Sequence, residues 1–331
     1  ITIQKYMNDS EQNWISKALE GRGHKILRSE SLKAEASHRK FYRLYAKIDT
    51  FVLMVSPPAL ENNTQFMNLS RIFNDHELPV PKVIDFSHDL GYFLLTDVGN
   101  RHYSEVYDTP TEKRAISAAI KALVELQKIQ HNTIPNYTAK RFAEELAIFD
   151  DWVIEQLLGD RFERISGTQG SQILIDQTQE QNQVCVHRDY HSRNLLLFGS
   201  ELGIVDFQDA LIGPAFYDLA SLLYDCYHDF DESKVNTYLA YFLRNSPSGK
   251  TTPVAMAKRW LELTALQRQI KAMGIFARLH FRDKKISHLK YIPPVLDKTI
   301  VLMSNYPELK QTENLLASLS RVLKTKIHQL I

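Results

Sequence analysis

Two cysteines in 331 residues are too few for a disulfide framework, which points to a reducing compartment. No apolar run approaches the length that spans a bilayer. The N-terminus also lacks a secretion-signal pattern, so the chain is expected in the cytoplasm, away from membranes. An excess of one charge is missing too: 40 Lys and Arg face 39 Asp and Glu, which removes nucleic acid as the default partner. Internal repeats and low-complexity tracts are absent, and nothing specifies an oligomeric state. What is present, 44% hydrophobic and 24% charged residues, is the make-up of a globular enzyme long enough for two lobes.

Against that plain background one stretch stands out. An apolar run, Val184–Val186, feeds His187-Arg188-Asp189-Tyr190-His191-Ser192-Arg193-Asn194 and continues as Leu195–Phe198. A further apolar run, Leu202–Val205, ends on Asp206-Phe207-Gln208-Asp209. The spacing is His-x-Asp-x-x-x-x-Asn, with a second Asp twelve residues beyond the Asn. Kinase-type phosphoryl transfer needs one Asp to accept the attacking hydroxyl's proton, and an Asn and a second Asp to hold Mg²⁺ on the nucleotide phosphates. Asp189, Asn194 and Asp206 fill those roles in order, because a hard cation takes one carboxylate and one amide oxygen and keeps water on its other positions. Two other readings stay open. Asp189 and Asn194 also suit turn caps. His187, Asp189 and His191 alternate and could share a transition metal, which leaves Asn194 and Asp206 without a role.

The texture around the motif divides the chain. Residues 8–20 read as a helix capped by Asp9 or Ser10, with Trp14, Ile15, Ala18 and Leu19 at helical spacing. Short β-like runs follow at Lys25–Leu27, Phe41–Tyr45 and Phe51–Val55. A helix is expected over Glu61–His76, then strands at Val83–Phe86 and Tyr92–Thr96. Thr109-Pro110-Thr111-Glu112 carries the cap, first-position proline and acid of a helix start. That helix runs to about Gln130, and 140–158, 215–228, 233–245 and 254–281 are expected to be helical as well. The pattern predicts an α+β, bilobal, protein-kinase-like fold with a small β-rich N-lobe and a larger, mainly helical C-lobe. The expected division is 1–97 for the nucleotide and 98–331 for catalysis and the acceptor.

These residues resemble the aminoglycoside phosphotransferase and choline kinase group. Its His-Gly-Asp-x-x-x-x-Asn loop and Ile-Asp-Trp/Phe-x-Asp strand end correspond to His187–Asn194 and Val205–Asp209, and Gly213–Ala220 is similar to its Gly-Asp-Pro-x-x-Asp-Leu-Ala element. In that group the aspartate matching Asp218 braces the loop. Ala36–Leu44, Val52–Glu61, Leu266–Leu279, Arg282–Lys284 and Tyr291–Pro293 further resemble the bacterial anomeric kinases of N-acetylmuramate and N-acetylglucosamine. The resemblance implies ATP- and Mg²⁺-dependent phosphorylation of a sugar's anomeric hydroxyl, in cell-wall sugar recycling.

Two departures stand out. No lysine closes Phe51–Val55, and the loop before Phe41 contains no glycine, so phosphate charge must be met otherwise. Ser37, His38, Arg39 and Lys40 are the candidates, through backbone N–H groups and cationic side chains. Thr96 and Asp97 are the expected hinge toward adenine. For the acceptor the candidates are His191, Arg193, Asp209, Arg268 and Lys271. Arg268, Lys271, Arg278 and Arg282 recur at helical spacing, a face suited either to solvent or to an acceptor's carboxylate. A cationic acceptor, as in an aminoglycoside or choline phosphotransferase, would need an acidic pocket instead. The missing lysine also keeps a non-catalytic nucleotide sensor in view.

Overall fold

The computed structural model describes residues 7–32 and 38–331, which gather into two compact units. One unit takes the described residues of Ile1–Tyr103 together with Asn194–Gln208; the other takes Ser104–Arg193 and Asp209–Ile331. No helix among the described residues is long and apolar enough to cross a membrane.

The first unit starts with helix α1 (Asp9–Glu20). Its cap is Asn8, not Asp9 or Ser10, because Asn8 has the acid it needs three residues on. The Glu11 N–H donates to Asn8 Oδ1 at 2.9 Å, and the Asn8 N–H donates to Glu11 Oε2 at 2.9 Å. Strands β1 (Arg28–Leu32), β2 (Lys40–Tyr45) and β3 (Thr50–Val55) precede helix α2 (Asn63–Asp75), and β4 (Val83–Ser87) and β5 (Tyr92–Thr96) follow it. They form one antiparallel sheet in the order β1-β2-β3-β5-β4. The expected strand at Lys25–Leu27 is displaced to Arg28–Leu32, where Arg28 pairs with Tyr45 and Leu32 with Phe41. Pairing along β2 outweighs the local apolar preference there.

Alternation along the strands gives the sheet two buried faces. Leu44, Leu53 and Leu94 pack with Ile15 of α1. Phe93 meets Phe66 of α2, whose ring also stacks on Phe207 at 5.3 Å. Phe207, beside the motif's Asp206, is thus a core residue of this unit.

The short strand β6 (Arg101–His102) is followed by β7 (Gln183–Val186), β8 (Leu195–Phe198), β9 (Glu201–Ile204) and β10 (Leu211–Pro214). β6, β8 and β9 form a small antiparallel sheet in the first unit, while β7 and β10 pair in the second. The motif loop therefore leaves a strand of one unit and enters a strand of the other.

Helices make up most of the second unit: α3 (Glu112–Leu126), α4 (Ala139–Phe149), α5 (Gln169–Gln179), α6 (Tyr217–Leu223), α7 (Glu232–Asn245), α8 (Pro247–Thr251), α9 (Val254–Phe281), α10 (Ile292–Met303) and α11 (Lys310–Leu330). Helix α3 begins at Glu112, later than the expected cap at Thr109. The Glu112 carboxylate reaches back to the Asp108 N–H at 2.7 Å, and Thr109 Oγ1 bonds Val106 O, so Pro110 sits in a turn before the helix. The expected 140–158 helix is α4 followed by a π-helical stretch, Asp150–Leu157, whose Asp150 carboxylate accepts from the N–H groups of Ile165 and Ser166. The expected 215–228 helix stops at Leu223. Helix α9 is buried around much of its circumference, packed by α4, α5, α6 and α10. Gly274 permits the approach of α4: a Cβ there would lie 2.7 Å from Ile148 C and Phe149 N.

Candidate active site

The loop after β7 is held by a buried acid. Asp218, fully buried at the start of α6, accepts from the N–H of His187 at 2.6 Å and of Arg188 at 2.9 Å. Burial pushes the Asp218 carboxyl up from its ordinary value, against the pull of His187 and of these two N–H groups. A second buried acid, Asp225, accepts from the N–H groups of Ser192 and Tyr227, each at 2.9 Å. Two carboxylates thus fix the loop at both ends through its own backbone.

Arg188 stands where the related motif has glycine, and its φ of 79° lies in the left-handed region. Such a backbone costs of the order of 1–3 kcal/mol in a residue other than glycine and persists where its surroundings over-determine it. The surroundings here are strong. Arg188 Nη2 is 2.6 Å from Glu145 Oε1, and Arg268 Nη1 donates to Arg188 O at 2.5 Å. Glu145 is buried and also holds Lys271 Nζ at 3.0 Å and the Tyr137 hydroxyl. Lys271, buried as well, reaches the Tyr217 hydroxyl at 3.4 Å.

Asp189 faces this cluster. Burial alone would raise its carboxyl, but the charges of Lys271, Arg268, His191 and Arg188 outweigh that and hold it well below the usual carboxylate range. It is therefore ionised across the neutral range, as a group that orients a hydroxyl and accepts its proton must be. Arg268 and Lys271, the expected acceptor contacts, lie at this loop as partners of protein groups. His191 is half-buried, its ring edge against Tyr227 at 5.5 Å. Arg193 lies 3.6 Å above the Tyr227 ring and donates to the Tyr291 hydroxyl at 2.8 Å. Asp209 is exposed, and its backbone carbonyl accepts from Arg188 Nη1 at 3.4 Å.

The other two motif residues lie in the first unit. Asn194 Nδ2 is 3.5 Å from Asp206 Oδ2, and Gln208 Nε2 donates to Asp206 Oδ1 at 2.7 Å. The Val205 N–H bonds Asn194 O at 3.0 Å, tying the two positions together through backbone. Asp206 is exposed and has a φ of 65°, the second motif aspartate or arginine in a glycine-like conformation. One carboxylate and one amide oxygen, neighbouring and open to solvent, fit a hard divalent cation that keeps water ligands. The rival set of His187, Asp189 and His191 does not converge: His187 is buried with Nδ1 accepting from the Asp189 N–H at 3.3 Å. Among the described residues, one other group could gather ligand atoms, Asp108, Glu112 and His228. Lys234 Nζ already occupies it, 3.1 Å from Asp108 and 3.0 Å from Glu112.

Among the nucleotide candidates, Ser37 lies outside the described residues. His38 is exposed, with its N–H on Glu61 Oε1 at 3.2 Å, and Lys40 is exposed at the start of β2. Arg39 is buried, pairing with Glu61 at 3.4 Å and Ser56 Oγ at 3.2 Å. Thr96 ends β5, its Oγ1 accepting from the Lys82 N–H at 2.9 Å. Asp97 gives both oxygens to Arg43, at 2.7 and 3.0 Å, while Arg43 Nη2 also reaches Gly99 O.

Glu145, Tyr137 and Tyr217 were not expected at the site. The signal for Glu145 was present: Phe142, Glu145, Leu146 and Phe149 share one helical face, so an acid sits on an apolar stripe.

Residues 30–253 match the phosphotransferase enzyme family, APH. The chain is similar to an N-acetylmuramate/N-acetylglucosamine kinase of Neisseria meningitidis serogroup B, with 32% identity over 299 residues that cover 86% of this chain and 89% of that one. A relative of the same name from Pseudomonas putida is 29% identical and covers 86% of each chain. In three dimensions the chain resembles the choline kinase LicA of Streptococcus pneumoniae, with a TM-score of 0.62 at 12% identity, over 90% of this chain and 100% of that one. That likeness carries the protein-kinase-like fold.

Proposed function

This chain belongs to the phosphotransferase enzyme family, and from that premise we propose that it transfers the γ-phosphoryl group of ATP to the anomeric hydroxyl of an amino sugar. N-acetylmuramate and N-acetylglucosamine are the acceptors proposed, as in the recycling of cell-wall sugars. The observation that carries the acceptor is the likeness, along most of both chains, to relatives that bear those two sugars in their names. What supports the chemistry is Asp189, a carboxylate kept ionised by the cations around it.

In this reading Asp189 accepts a hydrogen bond from the attacking hydroxyl, aims its oxygen at phosphorus and takes its proton as the new O–P bond forms. The bond to ADP breaks as that bond forms. Asn194 and Asp206 hold Mg²⁺, which when bound neutralises charge on the phosphates. Asp218 and Asp225 keep the loop in register through its N–H groups. The division of labour follows the sequence: residues 1–97 serve the nucleotide, with the backbone about Thr96 and Asp97 nearest the adenine and the exposed side chains of His38 and Lys40 meeting phosphate. Residues 98–331 serve catalysis and the acceptor. The basic helix α9 argues against a cationic acceptor of the aminoglycoside or choline type.

The test is ADP release with Mg²⁺-ATP against N-acetylmuramate, N-acetylglucosamine, an aminoglycoside and choline. Turnover on an acetylated amino sugar, with an acid-labile and alkali-stable phosphate product, is expected. Turnover on choline or the aminoglycoside alone would overturn the acceptor, and ATP binding without turnover on any of them would favour a sensor. Asp189→Asn should retain the fold and ATP binding while turnover falls about 100- to 10,000-fold.

A further inference from the structure

Four cations share one face of α9: Arg268, Lys271, Arg278 and Arg282. Three have protein partners. Arg268 is on Arg188 O, Lys271 is on Glu145, and Arg282 forms a fork with Asp283 at 2.9 and 3.0 Å.

Arg278 differs. It is half-buried, its Nε is enclosed without a hydrogen-bond partner, and among the described residues no carboxylate pairs with it. The acid whose field reaches it, Asp283, has both oxygens on Arg282. Burial first, then the charge of Arg282, lowers the affinity of Arg278 for its proton. Enclosing part of a guanidinium without an anion is costly, and an anionic ligand would offset that cost.

The position is informative as well. Helical rise puts the Arg278 Cα about 10 Å beyond Lys271 and about 15 Å beyond Arg268 along the axis. Arg268 and Lys271 act on Asp189, so the row begins at the carboxylate that would receive the acceptor hydroxyl. It ends, about a sugar ring and an arginine's reach further on, at a cation whose enclosed Nε has no partner among the described residues. We propose that Arg278 binds the carboxylate of an acidic amino-sugar acceptor, the lactyl acid of N-acetylmuramate, and thereby sets its preference over neutral N-acetylglucosamine. The assignment rests on the function proposed above. Arg suits the role because its planar fork meets both carboxylate oxygens, and a neutral sugar gains nothing from it.

The experiment compares kcat/KM on the two sugars for the wild type, Arg278→Gln and Arg278→Lys, with urea unfolding as a check of the fold. The ratio for the acidic over the neutral sugar should fall about 10- to 100-fold in Arg278→Gln, the worth of one charge-assisted pair, chiefly through KM. Arg278→Lys should fall between, since lysine keeps the charge and loses the fork. A ratio unchanged in Arg278→Gln, whether both sugars are lost equally or neither is, overturns the assignment while leaving the sugar kinase intact. A wild type that turns over neither sugar overturns the assignment together with its premise.

Discussion

Arg188 keeps its guanidinium 2.6 Å from Glu145 while its backbone stands at a φ of 79°, so one residue joins a glycine-like turn to a buried ion pair. The carboxylate of Glu145 is shared among Arg188, Lys271 and the Tyr137 hydroxyl, and burial raises that phenol well above its ordinary value. Glu145→Ala leaves two buried cations without their anion. Breaking such a pair from one side costs about 3–5 kcal/mol. Urea denaturation should show that loss, and a variant within error of wild type would mean the cluster is not holding the loop.

How much of this was visible in the sequence depends on range. Asp189, Asn194 and Asp206 could be put forward from the sequence because the motif is local and its flanking strands are apolar. The partners of Arg188 could not, since Glu145 is 43 positions away on α4 and only the tertiary fold brings it to the loop after β7. The basic stripe on α9 was read correctly as a stripe, yet its charges divide by what packs against each one, which periodicity does not record. The displaced β1 has the same cause: Arg28–Leu32 is polar, and pairing with β2 makes it a strand.

Arg43 and Asp97 form a buried two-point ion pair that also reaches the Gly99 carbonyl. Arg43→Met should destabilise the first unit by about 3–5 kcal/mol, because Asp97 is left charged and buried. Adding Asp97→Leu should recover much of that loss, since an apolar pair of similar volume avoids the stranded charge. A double variant no better than Arg43→Met in urea denaturation would contradict this account.

Gly99 has a φ of 112°, and a Cβ there would stand 2.3 Å from the Leu197 carbonyl oxygen of β8. Only glycine allows both that conformation and that approach. Gly99→Ala should cost about 1–3 kcal/mol in urea denaturation, from strain and a backbone shift. Gly23→Ala is the comparison, with φ at 76° and open space around the position. It carries the conformational cost without the clash, so it should lose less, and equal losses would show that packing against β8 is immaterial.

If Asp189 is the base proposed above, Lys271 should set the acid limb of the reaction. Burial raises the Asp189 carboxyl, and Lys271 is the largest of the opposing charges that bring it below its ordinary range. A base works when deprotonated, so wild-type kcat/KM should hold down to and below the ordinary carboxylate pKa of about 4. Lys271→Met removes the largest lowering influence while the burial remains. The Asp189 pKa then rises, and the acid limb moves to higher pH. Stability follows with the same sign. A carboxyl depressed in the folded state adds stability above its unfolded pKa, and that share is lost as pH falls through the folded value. In the variant the folded value rises toward or past the unfolded one, so the share shrinks or reverses. Acid should therefore destabilise Lys271→Met less, relative to its own neutral-pH stability, than it does the wild type. Glu145→Gln/Lys271→Met separates this effect from a stranded Glu145, because it removes both charges of that pair while Asp189 stays buried without Lys271. An acid limb in the same place for the wild type and for both variants would show that Lys271 does not govern Asp189.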